Sequence, residues 1–367
     1  MAYIDQFFQV LIEAGASDLH LAVNRPPKVR RHGEIVPIRE EPLTMEETAY
    51  MLSEISGPAR WEKFEACGDL DFAYEMDAHS RFRCNFLKQA SGYGAVFRLI
   101  PTKIMTLDQL GIPPIVKEVA NVRGGIILVT GPTGSGKSTT LAALIDHINS
   151  TFTKHIITVE EPIEFVHNNK KSVITQREVP EHSISFAAGL KAALREDTDI
   201  VLVGEMRDLE TIALALTAAE TGLLVFGTLH TNNARKTVDR LIDVFPSDQQ
   251  AQVRTMLSSS LRGVVAQLLM KKTPEAGGGR IAVNEILIGN SAVSAIIREG
   301  ATQKLQDVIV AGKGQGMQFM DDAIWEQMLK GVVSPHEAYM KAIDKARFRL
   351  YLPEEEKALG DSSGGVA

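Results

Sequence analysis

The chain has 367 residues, 44% of them hydrophobic and 23% charged, and a formal net charge of −7. That length supports two or three domains with cores of their own, and the acidic balance argues against duplex nucleic acid as the main partner, because such binding asks for a basic footprint. Two cysteines, Cys67 and Cys84, are too few for a four-ligand zinc site or a disulfide framework and fit a reducing, cytoplasmic setting.

The opening MAYIDQFFQV carries Asp5 and no basic segment, so no signal peptide is expected. No apolar run reaches the roughly 18 residues of a membrane span. YIDQFFQVLIEAG reads as an amphipathic helix with Ile4, Phe7, Phe8, Leu11 and Ile12 in one stripe. DLHLAV alternates like a strand, and KVRRHGEIVPI reads as a hairpin turning at His32-Gly33. TMEETAYMLSEI is helical, and three strand-like runs follow, DLDFAYEM, RFRCNFLK and YGAVFRLI. Residues 1–101 are therefore expected to form a small α+β domain, and 102–115, bracketed by prolines, a linker.

Residues 116–352 have a different rhythm. The short apolar runs GIILVT, HIITVE, DIVLVG and GLLVFGTLH alternate with helical stretches, which predicts an α/β domain with a mostly parallel sheet covered by helices. One helix is predicted to open with Ser247 and Gln250 in capping-box spacing and to carry Val253, Met256, Leu257, Leu261, Val264, Val265 and Leu268 on one face. KKTPEAGGGR reads as a loop, IAVNEILI as a strand and SPHE as a helix start. The polar, Gly/Ser-rich composition of 353–367 predicts a disordered tail.

The sharpest signal is GPTGSGKSTT, which fits G-x-x-x-x-G-K-[ST] between the strand GIILVT and the helix KSTTLAALIDHIN. Glycines let loop amides turn around phosphates, and a helix N-terminus adds positive potential. Thr133, Gly134, Ser135, Gly136, Lys137, Ser138, Thr139 and Thr140 are the expected nucleotide-binding residues. Lys137 would bridge the β- and γ-phosphates and Ser138 would hold Mg²⁺ beside ATP.

DIVLVGEMRD ends a strand in Gly204-Glu205, placing a carboxylate at the carboxyl edge of the sheet, where open α/β sheets bind ligands. Glu205 there can activate water, although kinases acting on small molecules use similar carboxylates. TVEEPIEF puts Glu160, Glu161 and Glu164 near another strand end, a cluster that a Mg²⁺-nucleotide would rationalise and an exposed acidic turn would equally explain. His230, after FGTLH, is placed to sense the γ-phosphate or to serve as a strand-end histidine. In SRFRCNF, alternation sends Arg81 and Arg83 to one face, and Arg98 lies in the next strand. Such guanidinium groups could complete a neighbouring subunit's site or make surface salt bridges.

These motifs together resemble the secretion-superfamily ATPases, and among them the retraction ATPases of type IV pili (the PilT type). The likeness runs from ASDLHL to GMQFMDDA through GPTGSGKST, ITVEEPIEF, DIVLVGEMRDLET and TGLLVFGTLHTNNARKTVDRLIDVFP. It implies a PAS-like N-terminal domain on a RecA-like P-loop core, assembled as a homo-hexamer with nucleotide between subunits. The implied activity is ATP hydrolysis powering pilus retraction and twitching motility. The implied location is the cytoplasmic side of the inner membrane, with a platform protein and a paralogous retraction ATPase as partners.

Carried over by residue, the resemblance makes Lys137 and Ser138 the phosphate and Mg²⁺ ligands and Glu205 the catalytic glutamate. Glu164 becomes the acidic-box carboxylate, and Arg83, Arg98 and Arg195 become site arginines. The chain departs from the family at Leu223, where the histidine box usually has its first histidine, and at Glu161, where aspartate is usual. It departs again at Ser294, where AVSAIIRE loses an arginine, and at Phe319, where threonine is typical. Assembly and type II secretion ATPases share the core but carry a four-cysteine zinc site, which is absent. Two other classes, a nucleic-acid translocase and a nucleotide-gated scaffold, share the P-loop; the acidic balance and the intact Glu205 count against them in turn.

Overall fold

The computed structural model describes residues 2–31, 33–77, 80–100 and 103–354. His32 at the expected hairpin turn, Pro101 at the expected end of the first domain, and residues 355–367 of the expected tail lie outside them. The chain divides into two compact units, Met1–Ile104 with Pro162–Val166, and Met105–Glu161 with His167–Ala367.

The first unit holds α1 (Asp5–Glu13), β1 (Asp18–Ala22), β2 (Lys28–Arg31), β3 (Glu34–Pro37), α2 (Met45–Cys67), β4 (Asp69–Asp77), β5 (Ser80–Gln89) and β6 (Gly92–Ile100). The strands make one antiparallel sheet in the order β3-β2-β1-β6-β5-β4. Its apolar face carries Leu19, Phe82, Phe86 and Phe97, and α1 and α2 cover it with Phe8, Leu11, Met51 and Phe64. Phe8 and Phe82 stack with ring centroids 3.9 Å apart. Ile12 leaves the expected stripe and is 37% exposed, because only Ile4, Phe7, Phe8 and Leu11 turn inward. Thr44 caps α2 by accepting from the Glu47 amide at 3.0 Å, and α2 kinks where Gly57 precedes Pro58.

The opposite face carries a row of charge. Register aligns Arg30 with Asp18, Asp18 with Arg98, and Arg98 with Arg83 across β2, β1, β6 and β5. Asp18 is 4% exposed and accepts from Arg98 Nε at 2.8 Å and from Ser17 Oγ at 2.7 Å, with Arg30 Nε at 4.0 Å. Burial works to raise the Asp18 carboxyl, but the Ser17 and Arg98 bonds outweigh it and hold the group below its ordinary value of 3.8.

The second unit begins earlier than the sequence suggests. The segment after Ile104 is packed rather than linker-like: Leu107 and Ile112 are buried in the same core as Val116 of α3 (Ile115–Ala120), so the flanking prolines punctuate a docked turn. The following elements are β7 (Gly125–Thr130), α4 (Lys137–Thr151), β8 (His155–Glu160), β9 (Val173–Glu178), α5 (Phe186–Ala193) and β10 (Ile200–Val203). Next come α6 (Leu209–Glu220), β11 (Leu224–Leu229), α7 (Ala234–Asp243), α8 (Gln250–Ser260), β12 (Leu261–Lys271) and β13 (Arg280–Ile288). The unit closes with α9 (Ser291–Glu299), α10 (Leu305–Ala311), α11 (Met320–Leu329), α12 (Pro335–Lys341) and α13 (Lys345–Arg349). Ser334 starts α12 as expected, accepting from the Glu337 amide at 3.1 Å.

The sheet runs β13-β12-β7-β11-β10-β8-β9, parallel except for β13 against β12. Alternation along β7 sends Ile126 and Leu128 to a core shared with α5, α6, α7 and α8, and Ile127 and Val129 to one shared with α3 and α4. The long helix expected from Ser247 is two elements. Helix α8 starts at Gln250 without a side-chain cap and stops at Ser260, and Leu261–Lys271 is a strand paired in parallel with β7. The apolar residues from 253 to 268 satisfy helical spacing, but Val264 and Val265 suit a central strand buried on both faces.

Asp18→Asn tests the charged row. Removing the anion from a buried site that accepts two side-chain bonds should cost about 1–3 kcal/mol, although Arg98, with a side chain 68% exposed, contributes only weakly through charge. Because the folded Asp18 value is depressed, its contribution is fully present above the unfolded value and is lost as pH falls through the folded one. The stability gap between wild type and variant in urea denaturation should therefore close on acidification below pH 3.8. A gap that does not change with pH would show that the carboxylate does not stabilise this unit.

Candidate active site

Parallel pairing brings the carboxyl ends of β7, β11, β10 and β8 to one edge of the second unit's sheet. The loop after β7 is the glycine-rich run. Gly131 has φ +146°, and a Cβ there would run into the Gln267 carbonyl; Gly136 has φ +87°, and its Cβ would lie 2.9 Å from Gln267 Nε2. Only glycine meets both demands. The loop delivers the chain into α4, whose first-turn amides and dipole make that edge attractive to an anion.

Gln267 of β12 holds the loop from below. Its Nε2 donates to the Ser135 carbonyl at 2.7 Å, and its Oε1 accepts from Thr140 Oγ1 at 2.8 Å. Thr140, expected at the nucleotide, turns its buried hydroxyl inward to Gln267. Lys137 Nζ folds over the loop onto the carbonyls of Gly131 at 2.9 Å and Pro132 at 3.1 Å. Ser135 Oγ is buried without a hydrogen-bond partner, an orphaned polar atom inside the cradle and the mark of a site that takes a polar ligand. Thr133 and Gly134 lie exposed on the rim, and Ser138 and Thr139 are half-buried in the first turn of α4.

Glu205 follows β10 and is kept at the edge by β11, since Thr228 Oγ1 donates to the Gly204 carbonyl at 2.6 Å and the Met206 amide to the Thr228 carbonyl at 3.1 Å. Its side chain is 17% exposed and shared between two partners. Arg207 approaches both carboxylate oxygens, at 2.5 Å from Nε and 2.6 Å from Nη2, and His230 Nε2 donates to Oε1 at 2.8 Å. Burial pushes the Glu205 carboxyl up, but Arg207 and then His230 outweigh it, and the group stays below the usual glutamate range. The structure thus joins two residues expected at the site and adds Arg207, two positions from Glu205, which the sequence reading passed over.

The acidic cluster is less bare than its letters suggest. Glu160 accepts from Thr158 Oγ1 at 2.6 Å and Gln176 Nε2 at 3.3 Å, so neutral donors already serve it. Glu164 is half-buried between Ile163 and Phe165 and belongs to the first unit with Pro162–Val166. Arg83 and Arg98 also belong to the first unit, where Arg83 Nε lies 3.7 Å from Asp71 and Arg98 is tied to Asp18. Arg195 is exposed just after α5.

The departures can be placed as well. Leu223 precedes β11 while His230 follows it, so the strand's six residues put Leu223 about 20 Å from the phosphate edge. It packs against the apolar core at the far end. Ser294 donates to the Ser258 carbonyl at 2.6 Å, tying α9 to α8. In the rest of that run Val293 and Ile297 are buried, and Arg298 and Glu299 are exposed.

The profile of the family described as type II/IV secretion system protein matches residues 1–339. The chain belongs to this family. It is 49% identical over 328 residues to the type IV pilus retractation ATPase PilT of Pseudomonas aeruginosa, covering 89% of this chain and 94% of that one. It is 47% identical over 316 residues to a twitching motility protein of Neisseria gonorrhoeae, covering 86% and 84%. A crystal structure of the pilus retraction motor PilT with bound ADP superposes with a TM-score of 0.87 at 42% identity, covering 95% of this chain and 98% of that one. Fold and family motifs therefore agree along the secretion-family chain. Among the described residues no helix is long and apolar enough to cross a membrane.

Gln267→Leu should test the loop clamp. It leaves the Ser135 carbonyl and the Thr140 hydroxyl without their partner, a loss of about 1–3 kcal/mol. Half of that appearing in loop ordering would weaken ADP binding about two- to tenfold. Unchanged affinity by calorimetric titration would show that the clamp does not shape the nucleotide site.

Proposed function

We propose that this protein is an ATP-hydrolysing motor that powers retraction of type IV pili and so twitching motility. The carrying observation is the Glu205–His230 pair set beside the glycine loop at one sheet edge; the kinship with retraction ATPases over nearly their whole length supports the output. In this reading Lys137 leaves its loop carbonyls for the β- and γ-phosphates, and the amides of the loop and first helical turn receive the phosphate oxygens. The Ser138 hydroxyl and the nucleotide's own oxygens would hold Mg²⁺, which usually binds through one or two protein groups and substrate phosphates. That fits a site where the described residues hold no cluster of three His, Cys, Asp or Glu. When bound, the ion would offset the charge that develops between β- and γ-phosphate.

Glu205 and His230 orient a water for attack on the γ-phosphorus. The water oxygen forms a bond to phosphorus, the bond to the β,γ-bridging oxygen breaks, and ADP leaves with the electron pair. Because Glu205 is held below its usual pKa, it polarises the water more than it stores its proton, which ends on the phosphate product. Glu164 and Arg195 serve the same nucleotide in this proposal, and Arg83 and Arg98 act on the ATP of a neighbouring subunit in a homo-hexameric ring. The partners are an inner-membrane platform protein and a paralogous retraction ATPase, met from the cytoplasmic side. Leu223 lies at the far end of its strand, so the missing histidine does not argue against turnover.

Glu205→Gln should keep ADP and ATP binding while lowering turnover roughly 10²-fold; failure to bind nucleotide would make Glu205 structural instead. In cells, deleting the gene should leave more surface pili and abolish twitching, whereas bald cells would point to pilus assembly and an unaltered phenotype to neither role.

The ring has its own test, since Arg98→Ala should cost about 10³-fold in rate. Mixing that inactive variant with inactive Glu205→Gln under verified subunit exchange should restore part of the activity. In a head-to-tail ring at equal amounts roughly one interface in four pairs an intact Arg98 with an intact Glu205. No recovery would confine Arg98 to its own subunit or to its bond with Asp18.

A further inference from the structure

The strand IAVNEILI contains a buried carboxylate that the catalytic reading leaves unused. Glu285 of β13 is 2% exposed. Sheet register sets it level with Ala266, Ala266 level with Thr130, and Thr130 level with Leu229. Those last two residues immediately precede the glycine loop and His230, so Glu285 stands at the height of the phosphate edge, two strands from β7.

Its two oxygens serve two different helices. Oε1 accepts from the Ala234 amide, the first of α7, at 2.8 Å, and Oε2 from the Met320 amide, the first of α11, at 3.3 Å. A helix start carries partial positive charge and unpaired amides, so one anion between two such ends holds both. Burial pushes the Glu285 carboxyl above its ordinary range, the two amide bonds oppose that, and Asp321 adds repulsion. On α7 the ordinary cap is also present, Asn233 accepting from the Lys236 amide at 2.8 Å. On α11 the N-cap residue is Phe319, which has no side-chain acceptor, so Glu285 does the work of a cap from another strand.

The first turn of α7 is bound on its other side to the catalytic edge. Thr237 Oγ1 donates to the Asn233 carbonyl at 2.8 Å and lies 2.7 Å from Thr231 Oγ1 and 3.4 Å from Thr130 Oγ1. Thr231 follows His230, whose ring meets Glu205. A continuous set of contacts therefore runs from Glu205 through His230, Thr231 and the start of α7 to Glu285, and from there to α11. Helix α11 packs with α12 and α13 through Ile324, Ala338 and Phe348.

We propose that Glu285 is a positioning residue that couples the nucleotide site to the C-terminal helices, passing a shift of the first turn of α7 to α11 through one carboxylate. The proposal rests on the ATPase reading above and adds to it the route by which the state of the site reaches α11–α13. It gives a structural reason for a carboxylate rather than an amide. Glutamine has one acceptor oxygen and would turn its NH₂ toward the other helix amide, leaving one of the two helix starts without a partner.

The chain has two tryptophans, Trp61 in the first unit and Trp325 on α11. Trp325 stands 5.5 Å from Phe348 and 4.9 Å from Tyr351 between ring centroids, with the Arg347 guanidinium 4.5 Å from its ring. In a Trp61→Phe background Trp325 is the sole indole and reports on α11. Adding ADP or ATP to this parent should change its emission, and Glu285→Gln should remove most of that change. ADP binding itself, measured by titration calorimetry, should persist. A full Trp325 response in the glutamine variant overturns the proposal, as does a parent that binds ADP with no response at Trp325. A parent that neither binds nor hydrolyses ATP overturns the ATPase reading and this proposal with it. Where Glu285→Gln alone does not fold, Phe319→Thr in the same chain gives α11 its own N-cap. The response should be weak in that double variant too, and a full response would show that Glu285 is only a cap.

Discussion

Parallel hydrogen bonding of β7 to β11 on one side and to β12 on the other fixes where the chain of the second unit can turn. Each strand must end at the same edge, so the glycine loop, Glu205 and His230 converge there although about a hundred residues separate the first from the last. The same pairing brings Gln267 beneath the loop. A backbone that must pass within van der Waals distance of a Gln267 carbonyl excludes side chains at 131, and this is a packing demand that precedes any ligand. Chemistry at the edge is thus inherited from sheet geometry. Glu205 and His230 need only follow the ends of their strands to meet there.

Around this frame the charged groups are restrained rather than free. Lys137 rests on carbonyls, and Glu205 is shared by Arg207 and His230.

Much of this was legible in the letters. The glycine loop between a buried strand and a helix, the strand-end Glu205 and His230, and the arginine face opposite Phe82 and Phe86 all follow from local period and motif spacing. What the sequence concealed was long-range or ambiguous in period. The run from Val253 to Leu268 satisfies helical and strand spacing at once, and only its neighbours β7 and β13 decide that its second half is a strand. Gln267 was hidden by that error. VITQRE, which forms β9, has too few apolar residues for a buried strand and sits at the sheet edge instead. Leu107 and Ile112 looked like a linker because prolines bracket them, while their burial depends on a core contributed by α3 and α4. Asp18 gave no signal at all, since its two arginine neighbours come from strands 12 and 80 residues further along.

The separation of Leu223 from His230 by one strand changes how the histidine box should be read. Eight consecutive letters look like one motif, yet the strand between them delivers its two ends to opposite rims of the sheet, and the two rims answer to different pressures. Leu223 packs against the apolar core at one rim, and His230 meets Glu205 at the other. Libraries that randomise the two positions should therefore yield independent landscapes.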